Sequence, residues 1–242
     1  MKLIDTHAHL DFPDFDKDRR EVIERAQKKE VAVLNCSLDI KGWEKIKGFK
    51  ELYFSIGCTP YHIEDFERQY KLITDNITAI VAVGEIGLDY YWVKELDKRE
   101  REKENFVRFL KLAKEHDKPV LIHSRNAESR ALDILQKEGM EKVIMHCFSG
   151  TLAEAERAIE LGYLISIPTN ITKSKQKQEL AKKLPLERIL LETDAPYLAP
   201  ESGRNEPINI INSARMIAEI KGLDFEDVAT TTTKNARELL KI

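Results

Sequence analysis

Eight short β-branched runs, each followed by a longer amphipathic stretch, fill the chain without a break, and this alternation restricts its fold more than any other feature. KLIDTH precedes the helical DKDRREVIERAQKK, VAVLNCS precedes KGWEKIKGF, YFSIGC precedes IEDFERQYKLITDN, and IVAVGEIG precedes KREREKENFVRFLKLAKEHD. PVLIHS then leads NAESRALDILQKEG, KVIMHCF leads TLAEAERAIELG, YLISIP leads KSKQKQELAKKL, and ILLETDAP leads PINIINSARMIAEIKG. Near-continuous apolar strands imply a parallel sheet buried on both faces, with the apolar sides of the helices as its cover. Eight such units in 242 residues predict an α/β fold, a (β/α)8 TIM barrel. An open doubly wound sheet would carry a Gly-rich phosphate turn after its first strand, where this chain has THAHLD. No linker, repeat or low-complexity stretch divides residues 1–242, so one domain is expected, with LDFEDVATTTTKNARELLKI as one or two extra C-terminal helices against the barrel.

In such a barrel functional groups gather at the C-terminal ends of the strands. Those ends carry His7 and His9, Glu85, His123, His146 and Asp194. Residues two apart on a strand point to one face, so His7 and His9 are expected to look the same way. A lone imidazole after an apolar strand is ordinarily a satisfied core residue, but four imidazoles and two carboxylates in one pocket are costly unless a cation compensates. The set is too large for one closed tetrahedral zinc and suits two divalent ions about 3.5 to 4 Å apart that share a carboxylate. Glu85 is the natural bridge; His7 and His9 would hold the first ion with Asp194, and His123 and His146 the second. Two divalent ions less two carboxylates leave about +2, and a bound hydroxide lowers this to about +1. That charge complements a phosphodiester, and it would also serve an ester or amide with a developing oxyanion. Asp194 is the expected general base, with Glu85 the second catalytic carboxylate.

Thirty-nine basic against 42 acidic residues, a net charge of −3, exclude a broad cationic surface for wrapping a duplex, so nucleic acid would have to be gripped locally. MKLIDTHAHL holds too few apolar positions for a signal sequence, and no run approaches the roughly 20 residues of a membrane span. A soluble, cytoplasmic protein is expected, with no membrane contact and no protein partner indicated. Cys36, Cys58 and Cys147 are odd in number and lack C-x-x-C spacing, which points to buried free thiols rather than to a disulfide framework or a thiolate zinc site.

DTHAHLD, GEIGLDYY, VLIHSRNA, HCFSG, LLETDAPYL and RNEP, spread from residue 3 to about residue 240, together resemble the TatD family of metal-dependent hydrolases, which are amidohydrolase-like barrels. The resemblance implies a two-metal deoxyribonuclease acting at 3′ ends of DNA, typically with Mg2+. It assigns the metals to His7, His9, Glu85, His123, His146 and Asp194, with Glu85 where wider relatives use a carboxylated lysine. Mixed nitrogen and oxygen ligation favours Zn2+ or Mn2+ over Mg2+ on affinity, so the bound and the activating ion can differ.

Departures from the family pattern fall on the substrate side. GCTPYH has Thr59 and Tyr61 where G-x-H-P-H is common, Asn126 follows the HSR triplet where Asp is usual, and IPTNITKSK replaces a Gly-rich loop after strand 7. Arg125, just beyond His123, is expected either to clamp a phosphate or to pair with Glu192. Arg204 and Asn205, in SGRNEP, are expected to contact phosphate, unless Glu206 restrains Arg204. Asp89 is read as a partner that orients a ligand. Tyr90, Tyr91 and Trp92 are expected to pack beneath the next helix, the alternative being a stacking platform for a base. A metal-dependent ester or amide hydrolase, such as a D-aminoacyl-tRNA deacylase, is the rival function that the same metals would serve.

Overall fold

The computed structural model describes residues 2–242. Its strands are β1 (Leu3–Ala8), β2 (Val31–Ser37), β3 (Tyr53–Ile56), β4 (Ala82–Asp89), β5 (Val120–Arg125), β6 (Val143–Met145), β7 (Leu164–Pro168) and β8 (Ile189–Glu192), hydrogen-bonded in that order. Every neighbouring pair is parallel. Helices α1 (Arg19–Lys28), α2 (Ile40–Ile46), α3 (Phe66–Asp75), α4 (Leu96–Glu115), α5 (Glu128–Lys137), α6 (Leu152–Glu160), α7 (Lys175–Lys183) and α8 (Ile210–Lys221) follow the strands in turn. The C-terminal segment forms one further helix, α9 (Phe225–Leu240), packed on β1, β8 and α8. None of the described helices is long and apolar enough to cross a membrane.

Strand pleating sorts the apolar residues into two cores. Ile4, Ala32, Leu34, Ala82, Leu121, Ile144, Leu164 and Leu190 fill the N-terminal end of the barrel, joined by Ala236 and Leu240 of α9. The alternate positions, among them Val33, Val83, Ile122 and Ile165, pack outward against helix residues such as Phe106, Phe109 and Leu132.

Between β8 and β1 the closure is a seam of individual bonds. Beside one isolated bridge between Ala8 and Ala195, Asp194 N donates to His7 O and His9 N to Ala195 O, both at 2.8 Å. Side chains complete it. Thr6 Oγ1 donates to Leu191 O at 2.9 Å, and the Asp5 carboxylate accepts Thr193 N at 2.8 Å and Thr193 Oγ1 at 2.6 Å. β6 and β8 are shorter than KVIMHCF and ILLETDAP suggest, because the backbone leaves the sheet to turn their polar ends inward, with Cys147 at φ 45° and Asp194 at φ 56°.

Candidate metal centre

His7 and Glu85 reach the barrel axis through irregular backbone. The inward positions of β1 and β4 run Ile4, Thr6 and Ala82, Gly84, so a regular pleat would turn the next residues, His7 and Glu85, away. Between Asp5 and Ala8, however, β1 advances three residues while β2 advances two, and between Gly84 and Ile86, β4 advances two while β5 advances one. Such bulges re-aim side chains. His9 lies beyond the end of β1, so the shared strand face expected for His7 and His9 is not what brings them together. They meet nonetheless, Nε2 to Nε2, at 3.1 Å.

Glu85 sits centrally among the remaining groups. Its Oε2 is 3.4 Å from His7 Nε2, 3.3 Å from His146 Nε2 and 4.0 Å from His123 Nδ1. Asp194 Oδ1 lies 3.6 Å from His9 Nε2 and 3.8 Å from His7 Nε2. The His7 and His146 rings stack at 3.6 Å between centroids and link the two groups. The structure thus brings together all six residues proposed from the strand ends.

The outer ring nitrogens fix the proton positions. His9 Nδ1 bonds to Cys36 O at 2.8 Å, His146 Nδ1 to Glu192 Oε2 at 2.9 Å, and His123 Nε2 to Asp89 Oδ2 at 2.8 Å. Carbonyl and carboxylate oxygens only accept, so these nitrogens carry the protons and the inner nitrogens of the neutral rings present lone pairs. His7 Nδ1 is buried without a partner. Lone pairs therefore converge with two carboxylates in one nearly dry space. This acceptor-only donor set fits divalent cations.

Where no cation meets it, the same demand for positive charge draws protons onto the inner nitrogens of two of the rings. Burial opposes a proton on His9, but the adjacent Asp194 and the fields of Glu85 and Asp11 outweigh it and push the ring up to about 9. His146 is likewise raised to about 10, its burial overcome by Glu192, Asp194 and Glu85. His7 goes the other way, held well below the usual imidazole range by burial and by the neighbouring His146, His9 and His123.

The supporting roles of two groups, Glu192 and Cys36, escaped the sequence reading. Glu192, one of the two alternatives weighed for Arg125, instead orients His146; its only signal was its place two residues after the inward Leu190. Cys36 Sγ donates to Gly84 O and accepts Glu85 N, both at 2.8 Å, so the buried thiol braces the Glu85 backbone; burial keeps it far above the ordinary thiol range. Tyr61 is 42% exposed in the departing GCTPYH turn, and burial followed by the fields of Glu85 and Asp89 keeps its hydroxyl protonated. Asp89 does orient a ring, accepting from His123 while its other oxygen accepts Tyr91 N and Trp92 N at 2.9 Å.

Two expected substrate contacts are corrected. Arg204 is occupied: Nη1 and Nη2 grip the Asp18 carboxylate at 2.7 Å, Nη1 also bonds Asp14 O, and the guanidinium covers Phe15. Glu206 does not restrain it, because Glu206 takes Arg25 at 2.6 Å. Asn205 is fully buried, its amide nitrogen on Thr169 Oγ1, Thr193 O and Tyr197 O and its oxygen on Glu206 N and Asn209 Nδ2, so it braces the turn after β8 and presents nothing to substrate. Arg125, by contrast, is exposed, lies 3.8 Å above the Tyr91 ring, and makes no ion pair among the described residues. Tyr91 and Trp92 are exposed rather than packed beneath α4, whereas Tyr90 is half-buried under Arg99. Cys36 and Cys58 are buried as expected; Cys147 is only partly so. His62 stays exposed beside Tyr61, and His116 is exposed at the end of α4.

A parallel eight-stranded barrel whose strand ends converge on an acceptor-only cluster of imidazoles and carboxylates defines a metal-dependent hydrolase. The TatD related DNase family model matches residues 4–241. A human protein named Deoxyribonuclease TATDN3 is 38% identical over 257 residues, covering 98% of this chain and 94% of that protein. The uncharacterized metal-dependent hydrolase YabD of Bacillus subtilis is 36% identical over 255 residues, covering 99% of both. The crystal structure of YJJV, a TatD homologue from Escherichia coli K12, superposes with a TM-score of 0.90 at 29% identity, covering 100% of this chain and 98% of that one. The chain belongs to the TatD family of metal-dependent hydrolases.

Proposed function

We propose that this hydrolase is a cytoplasmic deoxyribonuclease that removes nucleotides from 3′ ends of DNA with two divalent ions, Mg2+, Mn2+ or Zn2+. The observation that carries the reading is the central place of Glu85, whose Oε2 lies within 4.0 Å of three inward-facing imidazole nitrogens. His7, His9 and Asp194 would hold one ion and His123 and His146 the other, with Glu85 between them. When bound, such ions neutralise phosphoryl charge and make water nucleophilic near neutral pH.

The chain's own groups supply the rest. Asp194 is partly exposed at the mouth, and the turn that gives it φ 56° is held by its N–H on His7 O and by Tyr197 N on its own carbonyl. One carboxylate oxygen faces His7 and His9, and the other is available to take the proton of the attacking water. Arg125, the exposed guanidinium beside His123, receives a phosphate oxygen, while Tyr91 beneath it keeps the fork flat. The human relative's name supports DNA as the substrate.

Oligonucleotides labelled at either end, supplied with each metal, test the reading beside D-aminoacyl-tRNA. Stepwise shortening from the 3′ end is expected. Deacylation without shortening of any strand would replace the nuclease with an ester hydrolase on the same metals.

A further inference from the structure

Helix α4 buries an acid that the proposed hydrolysis does not use. Glu102 is 1% exposed; its Oε1 accepts Asp89 N at 3.3 Å, and its Oε2 is buried without a partner. Beside it lies a cavity just wide enough for one water, bounded by Cys58, Thr59, His62, Gly87 and Asn105. Among the described residues no Lys or Arg forms an ion pair with Glu102. Arg99, on the same helix, donates to Val93 O and Tyr90 O and covers the Tyr90 ring.

We propose that Glu102 is a positioning residue for the hydrolytic site: from α4 it clamps the backbone of Asp89, through Asp89 it holds the ring of His123, and it does so as a neutral acid. An ionised Glu102 would stand close to the Asp89 carboxylate with no cation between them. The neutral acid offers an acceptor to Asp89 N–H and carries its proton on the oxygen that has no partner. Burial pushes the carboxyl up to about 8, aided by the Asp89 charge and opposed by the Asp89 N–H and Arg99. The titratable groups around it are Asp89 on β4, Tyr90 just after it, Arg99 on its own helix, and Cys58 and His62 across the cavity.

Linkage gives the sign. An unfolded Glu titrates near about 4.3, so between that value and about 8 the folded chain keeps a proton that the unfolded chain releases. The contribution of Glu102 to stability is full below this window and declines as pH rises through it. Glutamine cannot ionise, yet keeps an acceptor for Asp89 and a protonated group in place of the second oxygen.

The experiment follows thermal unfolding of the wild type, Glu102→Gln and Glu102→Ala in chelator from pH 4.5 to 9, and titrates Mn2+ into each by calorimetry at pH 6.5. The Tm advantage of Glu102→Gln over wild type should widen by at least about 3 °C as pH rises and level off above about pH 8. Mn2+ affinity should drop about tenfold in Glu102→Ala and stay within about twofold of wild type in Glu102→Gln, in keeping with the loss of a group that orients a ligand. Parallel Tm profiles for wild type and Glu102→Gln would overturn the neutral acid. Undiminished affinity in Glu102→Ala, or equal losses in both variants, would overturn the positioning role. The calorimetric arm rests on the metal-binding reading: if the wild type takes up no Mn2+, that reading fails, and the chelator series still decides the state of Glu102.

Discussion

At the N-terminal end of the barrel Ile4, Leu34, Leu121, Ile144, Leu164 and Leu190 close on one another, whereas two residues further along the same strands stand Thr6, Cys36, His123, His146, Ser166 and Glu192. The two layers are about 7 Å apart. The lower one is held by shape, and any apolar side chain of similar volume satisfies it. The upper one is held by matched pairs such as His146 with Glu192, and its centre is acceptors facing acceptors. A chain tolerates such a centre because the layer beneath it supplies stability without consulting the layer above.

Substitutions should separate the two layers. The largest effect on function is expected from Glu85→Ala, which removes the carboxylate shared by three rings: metal content by elemental analysis should fall to zero and turnover to background, with Tm in chelator nearly that of the wild type in chelator. Full metal content in this variant would break the contrast, since the upper layer would then bind without its centre. Asp194→Asn should lower kcat roughly 10²- to 10⁴-fold with little change in KM. Recovery of its rate at saturating Mn2+ or Mg2+ would reduce Asp194 to a ligand and remove the general base.

Leu121→Ala should do the reverse. Fully buried in the lower layer, it is expected to cost about 2–5 kcal/mol, read as a Tm lower by about 5–15 °C, while kcat below the transition stays at wild type. Metal loss from this variant ahead of global unfolding would show the layers to be coupled.

The smallest effect belongs to the lower rim, where Lys142 and Lys241 hydrogen-bond Asp117 and pull it down to about 2. An unfolded Asp titrates near about 3.9, so this contribution is present above that pH and is lost as pH falls toward about 2. Because the cluster stands in solvent, only a small extra acid slope is expected in the urea midpoint of the wild type over Asp117→Asn between pH 5 and 2.5. Equal slopes would leave the cluster without weight.

The barrel and the six inward groups were legible because both are local signals: apolar runs set the strands, and polar residues at their ends fall where the fold converges. His7 and Glu85 were placed correctly for a reason the sequence does not display, since bulges, not the pleat, turn them in. Contacts set by the docking of distant segments were not legible. Arg204 meets Asp18 across 186 positions, and Arg25 meets Glu206 across 181, so neighbouring charges such as Glu206 offered a nearer but wrong partner. Asn205 misled for a related reason: a polar residue in a loop reads as exposed unless the five bonds that bury it are known.

The seam between β8 and β1 also sets a timetable. Asp5 waits for Thr193, 188 positions later, which at ribosomal speeds of about 5–20 residues per second is roughly 10–40 s. Through that interval His7 and His9 have emerged, β1 has a partner on one side alone, and Asp194 does not yet exist. On the proposed ligand set, loading of the first-strand histidines would therefore belong to the finished chain, and a nascent chain that caught an ion on the bare H-x-H pair would hold it without the Asp194 carboxylate. Circular permutation that places β8 ahead of β1 would abolish the wait, letting that half of the site assemble first.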